Sequence, residues 1–305
     1  MRTLIRAAVA ALALTAAIAT AGAAHAQPGS ADGTPRLDAR AAAAATGKIG
    51  INSTWYTGTV NAGGSQTWVW YNAPADVAYV VGYTPSGAST SAACQFQTTD
   101  SRYLQVWGGE RRFQFTLQNT GSIACAATVL LSGLSSWTIN STGGVAPGGT
   151  QTHLWTNLPA GLTYVAGFKP TGSTSSAACQ WQVVRSWYVQ SGAARQFWFT
   201  IKNVGAVTCQ ADIQLATVSG GSTVSTGTLA PGASVGWLWY SNIGNYTHAI
   251  GLASSTSGCQ LETTRLDYRQ IIESNGSASR QILFYVKNVG STTCSGSIYL
   301  PVIAA

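Results

Sequence analysis

A strand-like run that ends in a turn and a cysteine occurs three times in this chain. It reads RRFQFTLQNTGSIAC from Arg111 to Cys125, RQFWFTIKNVGAVTC from Arg195 to Cys209, and RQILFYVKNVGSTTC from Arg280 to Cys294. The closing cysteines are 84 and 85 residues apart. Self-similarity at a fixed period means that one folding unit has been copied, so whatever one copy forms the others form too. The rest of the unit repeats in the same order. A turn and an aromatic run (GGSQTWVWYN, GGTQTHLWTN, PGASVGWLWYS) precede AYVVGY (Ala78–Tyr83), TYVAGF (Thr163–Phe168) and THAIGL (Thr247–Leu252). A loop rich in Gly, Ser and Thr then leads to Cys94, Cys179 and Cys259.

Every apolar pattern in the unit has period 2, and turn residues recur every 8–12 positions, which is the signature of antiparallel strands in a sandwich or barrel. The expected fold is therefore all-β: three tandem antiparallel β-sandwich repeats over residues 49–131, 132–217 and 218–305. Two cysteines fall in each repeat. Pairs Cys94–Cys125, Cys179–Cys209 and Cys259–Cys294 are the simplest of the fifteen possible pairings, since each copy must be able to close alone. Each bridge closes a loop of roughly 30–35 residues, which is worth about 3–4 kcal/mol in a chain-entropy model. The cysteines are too widely spaced for a CxxC site and have no His partners, so no metal is expected. On this reading an excised middle repeat folds by itself.

The start of the chain points to export. Arg2 and Arg6 precede an apolar run from Ala7 to Ile18, and small residues follow up to Ala24-His25-Ala26. That order is a secretory signal peptide, residues 1–26. The next stretch, 27–48, mixes Pro, Gly, Ala and charge, and reads as a flexible leader. No later apolar run approaches spanning length. An exported chain with an even cysteine count is expected to carry disulfides and to be secreted, with no membrane segment after signal cleavage. Loss of Arg2 and Arg6 lowers the formal net charge from +7 to +5. With no basic run beyond Arg111-Arg112, nucleic acid is not an expected partner. Weak attraction to anionic cell-wall polymers is compatible with the charge.

In the repeated strand, Phe113, Phe115 and Leu117 share one parity with Phe197/Phe199/Ile201 and Ile282/Phe284/Val286, and this apolar set is the expected core face. The opposite parity holds Gln114/Thr116/Gln118 in copy one but Trp198 and Tyr285 in copies two and three. An outward aromatic is either a ligand platform or a contact with a neighbouring repeat. The Asn-x-Gly that follows (Asn119, Asn203, Asn288) is expected to supply positive φ for a turn. Trp70, Trp155 and Trp239 recur in every copy and read as core residues, with an exposed sugar-stacking role as the alternative. Trp155→Ala is accordingly expected to destabilise. Trp68 and Trp237 stand two residues earlier, but copy two has His153 there. That variation predicts an exposed rim, which makes Trp68 and Trp237 ligand-binding candidates beside Trp198 and Tyr285.

No catalytic constellation is evident, and none is assigned. His153 and His248 sit at non-equivalent positions, and no carboxylate recurs at one position in all three copies. GxSxG, HExxH and phosphate-loop motifs are absent, and no cofactor is expected.

The strand leading into Asn-x-Gly (113–121, 197–205, 282–290) resembles bacterial immunoglobulin-like and cell-adhesion-type β-sandwich modules, which implies an immunoglobulin-like fold for each repeat but no function. Arg185-Ser186-Trp187-Tyr188 is similar to the aromatic-basic hairpin of actinobacterial proteinaceous α-amylase inhibitors. Copies one and three offer Ser101-Arg102-Tyr103 and Asp267-Tyr268-Arg269 there, and the two-disulfide pattern of that family is absent. Three readings follow. The leading one is a secreted, non-catalytic binding protein for a polysaccharide, cell-wall polymer or surface protein, with avidity from three copies. The others are an inhibitor of a secreted hydrolase and an extracellular structural spacer. Exposed aromatics at equivalent places favour the first, and a single protruding loop favours the second.

Overall fold

The computed structural model of the protein describes residues 52–240 and 245–304, together with two short strands nearer the start of the chain, β1 (Leu4–Ala7) and β2 (Arg36–Asp38). The expected signal peptide and leader otherwise lie outside the described residues. The described chain is all β, in several sheets, with three disulfides. The first set of strands is β3 (Asn52–Tyr56), β4 (Ser65–Tyr71), β5 (Val77–Ser86), β6 (Cys94–Gln105), β7 (Arg111–Asn119) and β8 (Ala126–Ser135). The second is β9 (Trp137–Ser141), β10 (Thr150–Trp155), β11 (Leu162–Thr171), β12 (Cys179–Ser191), β13 (Ala194–Asn203) and β14 (Gln210–Ser219). In the third, β15 (Ser222–Leu229) and β16 (Ser234–Tyr240) are followed by β17 (Tyr246–His248) and β18 (Gly251–Ser254), which share the place of one long strand. β19 (Gln260–Ile272), β20 (Ala278–Asn288), β21 (Cys294–Leu300) and β22 (Val302–Ala304) complete it. β8 and β14 run past the expected boundaries at 131 and 217, to Ser135 and Ser219.

Pairing follows one scheme in all three sets. The first, third and last strands form β3-β8-β5, β9-β14-β11 and β15-β21-β18, with β17 and β22 as a separate pair. The second, fourth and fifth form β4-β7-β6, β10-β13-β12 and β16-β20-β19. β1 runs antiparallel along β16 and β2 parallel along β4. The disulfides join Cys94 to Cys125, Cys179 to Cys209 and Cys259 to Cys294, and so tie the start of the fourth strand to the loop or strand after the fifth. β7 alternates buried and half-buried along its length. Its inward residues Phe113, Phe115 and Leu117, and all six of their counterparts, are buried.

Asn119, Asn203 and Asn288 act differently from the expectation. None has positive φ, nor do Gly121, Gly205 and Gly290. Each Asn is fully buried and its amide donates to two backbone carbonyls, Val60 and Ile123 in the first set, Val145 and Val207 in the second, Leu229 and Thr292 in the third. Its side-chain oxygen accepts the N–H of the glycine two residues on. That glycine is required by close approach: a Cβ on Gly121 would lie 2.8 Å from the carbonyl oxygen of Ala93.

The three sets are not beads on a string. Arg102–Gln105 of β6 pairs with Cys179–Gln182 of β12. Trp187–Val189 of β12 pairs with Gln260–Glu262 of β19, and Asp267–Gln270 of β19 returns to Cys94–Gln97 of β6. The fourth strands thus close a ring and merge their sheets into one. Each carries an irregularity midway, at Thr98/Asp100, Val183/Arg185 and Thr263/Arg265. An extra residue there bends the strand, so its two halves face two different neighbours.

Buried arginines lock the ring. Arg111 donates to Val77 and Pro74 of its own set and to Phe168 of the second. Arg195 donates to Pro159 and Leu162 at home and to Leu252 of the third. Arg280 donates to Tyr246 at home and to Tyr83 of the first. The recurring glycine of the third strand serves the same seams. A Cβ on Gly82, Gly167 or Gly251 would stand 2.9 Å from Thr247 Cγ2, 3.1 Å from Ala78 Cβ or 2.3 Å from Thr163 Oγ1, each in the adjoining set.

Candidate binding face

The merged sheet has one face against the core and one turned outward. Because opposite residues of an antiparallel pair share a face, the strand registers define the outward rows. One row reads Leu154–Trp198–Trp187–Glu262–Lys287 across β10, β13, β12, β19 and β20. A second reads Lys202–Gln182–Arg102–Gln114 and a third Gln118–Gln97–Asp267–Leu283. Of these three, only the first holds aromatics; Tyr285 lies in a further row, opposite Gly236 and Arg265.

Trp187 and Trp198 stack with ring centroids 5.9 Å apart and planes 23° from parallel, both partly exposed. The indole N–H of Trp198 donates to Gln196 Oε1 at 2.9 Å, which fixes the ring. Arg185 lies over Trp187 at 4.6 Å and pairs with Glu262 at 3.0 Å. Leu154, at the end of the row, is 45% exposed. The result is an apolar strip beside polar, hydrogen-bonding groups, the mixture that carbohydrate rings and polar polymers contact. Three more carboxylates on or beside this face are also paired, Asp100 with Arg102, Glu110 with Arg112 and Asp267 with Arg265. On the inner side of the ring lies an uncharged cavity of about 260 Å³, to which Ser101, Ser186 and Thr263 contribute hydroxyls from all three sets.

The four residues singled out from the sequence separate into two groups. Trp198 is on the outward face as expected, and Tyr285 is too, but Tyr285 packs over Gly236 in a different row, opposite Arg265. Trp68 and Trp237 are not a rim: they are 5% and 6% exposed. Their parity is that of Trp70 and Trp239, and the register sets them opposite the core residues Phe115 and Phe284. In the second set the same position is only half-buried, and His153 occupies it. There His153 stacks on Phe199 at 5.8 Å. Trp155, expected in the core, is 37% exposed. In the first set Trp55 covers Trp70 at 5.5 Å, whereas the position two residues before Thr142, matching Trp55 before Thr57, holds Asn140. Trp70→Ala should therefore cost about 3–5 kcal/mol and Trp155→Ala about 1 kcal/mol. Denaturant unfolding of the two variants checks this, and equal losses would contradict it.

Trp187 was legible only as part of Arg185–Tyr188. That segment is mid-strand in β12, not a hairpin. Its Tyr188, like Tyr103 and Tyr268, is buried, and each phenol oxygen accepts a backbone N–H, from Tyr164, Tyr79 and His248 in turn. Burial pushes the Tyr188 and Tyr268 phenols up to about 12. The aromatic that does stand on a hairpin is Trp107, 69% exposed between β6 and β7. Gly108 and Gly109 beside it take φ of 88° and 84°, so the turn needs residues without a Cβ.

No group of three His, Cys, Asp or Glu among the described residues is placed to hold a metal ion, and no helix among them is long and apolar enough to cross a membrane. Compared with known proteins, the chain matches no family model, no curated protein and no solved structure.

Proposed function

We propose that this is a secreted, non-catalytic binding protein that engages an extracellular polysaccharide or cell-wall polymer through the outward face of its merged sheet. Each set of strands is read as one copy of a disulfide-closed, immunoglobulin-like sandwich. Three disulfides and the signal-like start support export, since such bonds persist in oxidising compartments. The observation that carries the reading is the fixed Trp187–Trp198 stack, extended by Leu154 and bordered by Arg185 and Glu262. Apolar area left partly open on a sheet, in a row with polar neighbours, has a cost in water that a ligand removes. The strip belongs to one set only, so binding is by one principal site and not by three equal ones.

The test is retention of the protein on insoluble polysaccharides and isolated cell walls. Trp187→Ala with Trp198→Ala should lower retention about tenfold or more, because each ring contributes on the order of 1 kcal/mol. The melting temperature should move by only a few degrees. Unchanged retention would remove the strip from consideration.

A second reading, inhibition of a secreted hydrolase, is favoured by Trp107. It stands exposed on one hairpin, in one set only, and the base is held by Ser173 of the second set, whose N–H donates to Gln105 Oε1 at 3.3 Å and whose hydroxyl donates to the Val106 carbonyl at 3.1 Å. Inhibition within a hydrolase panel that disappears in Trp107→Ala would move the function to this hairpin. Neither retention nor inhibition would leave the structural-spacer reading.

A further inference from the structure

We infer that the outward face is built for a linear polymer that carries repeating anions, uronate carboxylates or phosphodiesters, in preference to a neutral glycan. This rests on the binding reading above and names the ligand class of the same face. The argument is one of charge left over. Seven cations lie on this face against five carboxylates on or beside it, counting Glu273 in the turn between β19 and β20. Four of the carboxylates are each held by one arginine, Arg102, Arg112, Arg185 or Arg265. Lys202, Arg269 and Lys287 form no ion pair among the described residues. They are partly exposed, so their charge is available to a ligand. The three other arginines of these strands, Arg111, Arg195 and Arg280, point inward to backbone carbonyls and add nothing outside.

The placement matters as much as the count. Lys287 lies in the same row as the tryptophans, two strands beyond Trp187, or about 10 Å away at ordinary strand spacing. Lys202 is four residues along β13 from Trp198, about 13 Å by strand rise. A ring stacked on the Trp pair thus has a cation on two sides at distances of two to three sugar residues. A neutral chain would meet those lysines with nothing to offer them, whereas a polyanion neutralises both. Arg185 and Glu262 already satisfy each other and contribute orientation instead of net charge.

The experiment measures binding of the full-length secreted protein to four soluble probes at low ionic strength: polygalacturonate, poly(glycerol phosphate), a neutral β-glucan of similar length, and a single-stranded DNA oligomer. At least one of the first two should bind about tenfold tighter than the glucan, and should weaken as salt rises through physiological strength. The arm that binds identifies uronate or phosphodiester as the source of the anion. Lys202→Gln with Lys287→Gln should lower that affinity at least about fivefold, and Trp187→Ala with Trp198→Ala should lower it independently. The lysines are surface residues, so an unchanged melting temperature is the control for folding. Glucan binding that equals the polyanions, with no effect of the lysine changes, would overturn the anionic inference and leave the tryptophan site standing. DNA binding as tight as the best glycan, insensitive to the tryptophans, would mean simple ion exchange and would also overturn it. No binding to any probe would bring down the binding reading itself.

Discussion

Replacing His248 by Tyr should abolish most of the loss of stability that the protein suffers between pH 7 and pH 4. His248 is 1% exposed, and neither ring nitrogen has a hydrogen-bond partner. Burial, reinforced by the nearby Arg280 guanidinium, holds the imidazole down at about 3. In the unfolded chain the same group titrates near 6.5. Above 6.5 it is neutral in both states and has no effect. As the pH falls below 6.5 the unfolded chain gains a proton that the folded chain does not take up, so stability declines until about pH 3. At pH 4 the difference spans about 2.5 pH units, or roughly 3 kcal/mol. The other two sets have Tyr79 and Tyr164 at this position, so Tyr suits the site, and Ile282 leaves room where Phe113 and Phe197 stand in the other sets. Denaturant unfolding at pH 7 and pH 4 of the parent, His248→Tyr and the smaller His248→Leu measures the effect. An acid loss of the same size in both variants would show that other groups cause it.

An excised second set, residues 132–219 with Cys179–Cys209 closed, should not unfold cooperatively as a monomer, contrary to what its repeat pattern alone suggests. Its β12 would lose partners along both halves of one edge, four residues to β6 and three to β19. Trp181 and Tyr188, buried in the full chain, lie in those halves. The carbonyl of Phe168 would lose Arg111, and Arg195 would lose the carbonyl of Leu252. A buried arginine left short of acceptors costs about 1–3 kcal/mol per missing bond, against a total stability of only about 5–15 kcal/mol for a domain. Near-ultraviolet circular dichroism and denaturant titration of the oxidised fragment are the measurements. A sharp transition in a monomeric fragment would show that the seams are dispensable and each unit stands alone.

Much of this architecture could be read from residue order. The period of the repeat located all three cysteine pairs, and strict alternation along 113–117 and its copies picked out the core face, because a strand's two faces differ by parity alone. The same rule carried Trp198 and Tyr285 to the outside. It could have carried Trp68 inside as well, since Trp68 and Trp70 share parity; the His153 substitution pointed the other way because a half-covered position tolerates a change that a sealed one does not. Asn-x-Gly was recognised as a turn, yet its purpose, a buried amide bridging two carbonyls, depends on where distant segments pass.

The β class, the threefold repetition, the disulfide partners and the inward and outward parities follow from residue order, because all of them are local or periodic properties. Packing between distant segments establishes that the fourth strands close a ring, that Gly82, Gly167 and Gly251 lie in seams, that Trp187 meets Trp198, and which tryptophan is covered. Those outcomes turn on strand register between units and on single neighbours such as Trp55 or Asn140. Such contacts join residues tens to nearly two hundred positions apart, and no periodic pattern encodes which of them will meet.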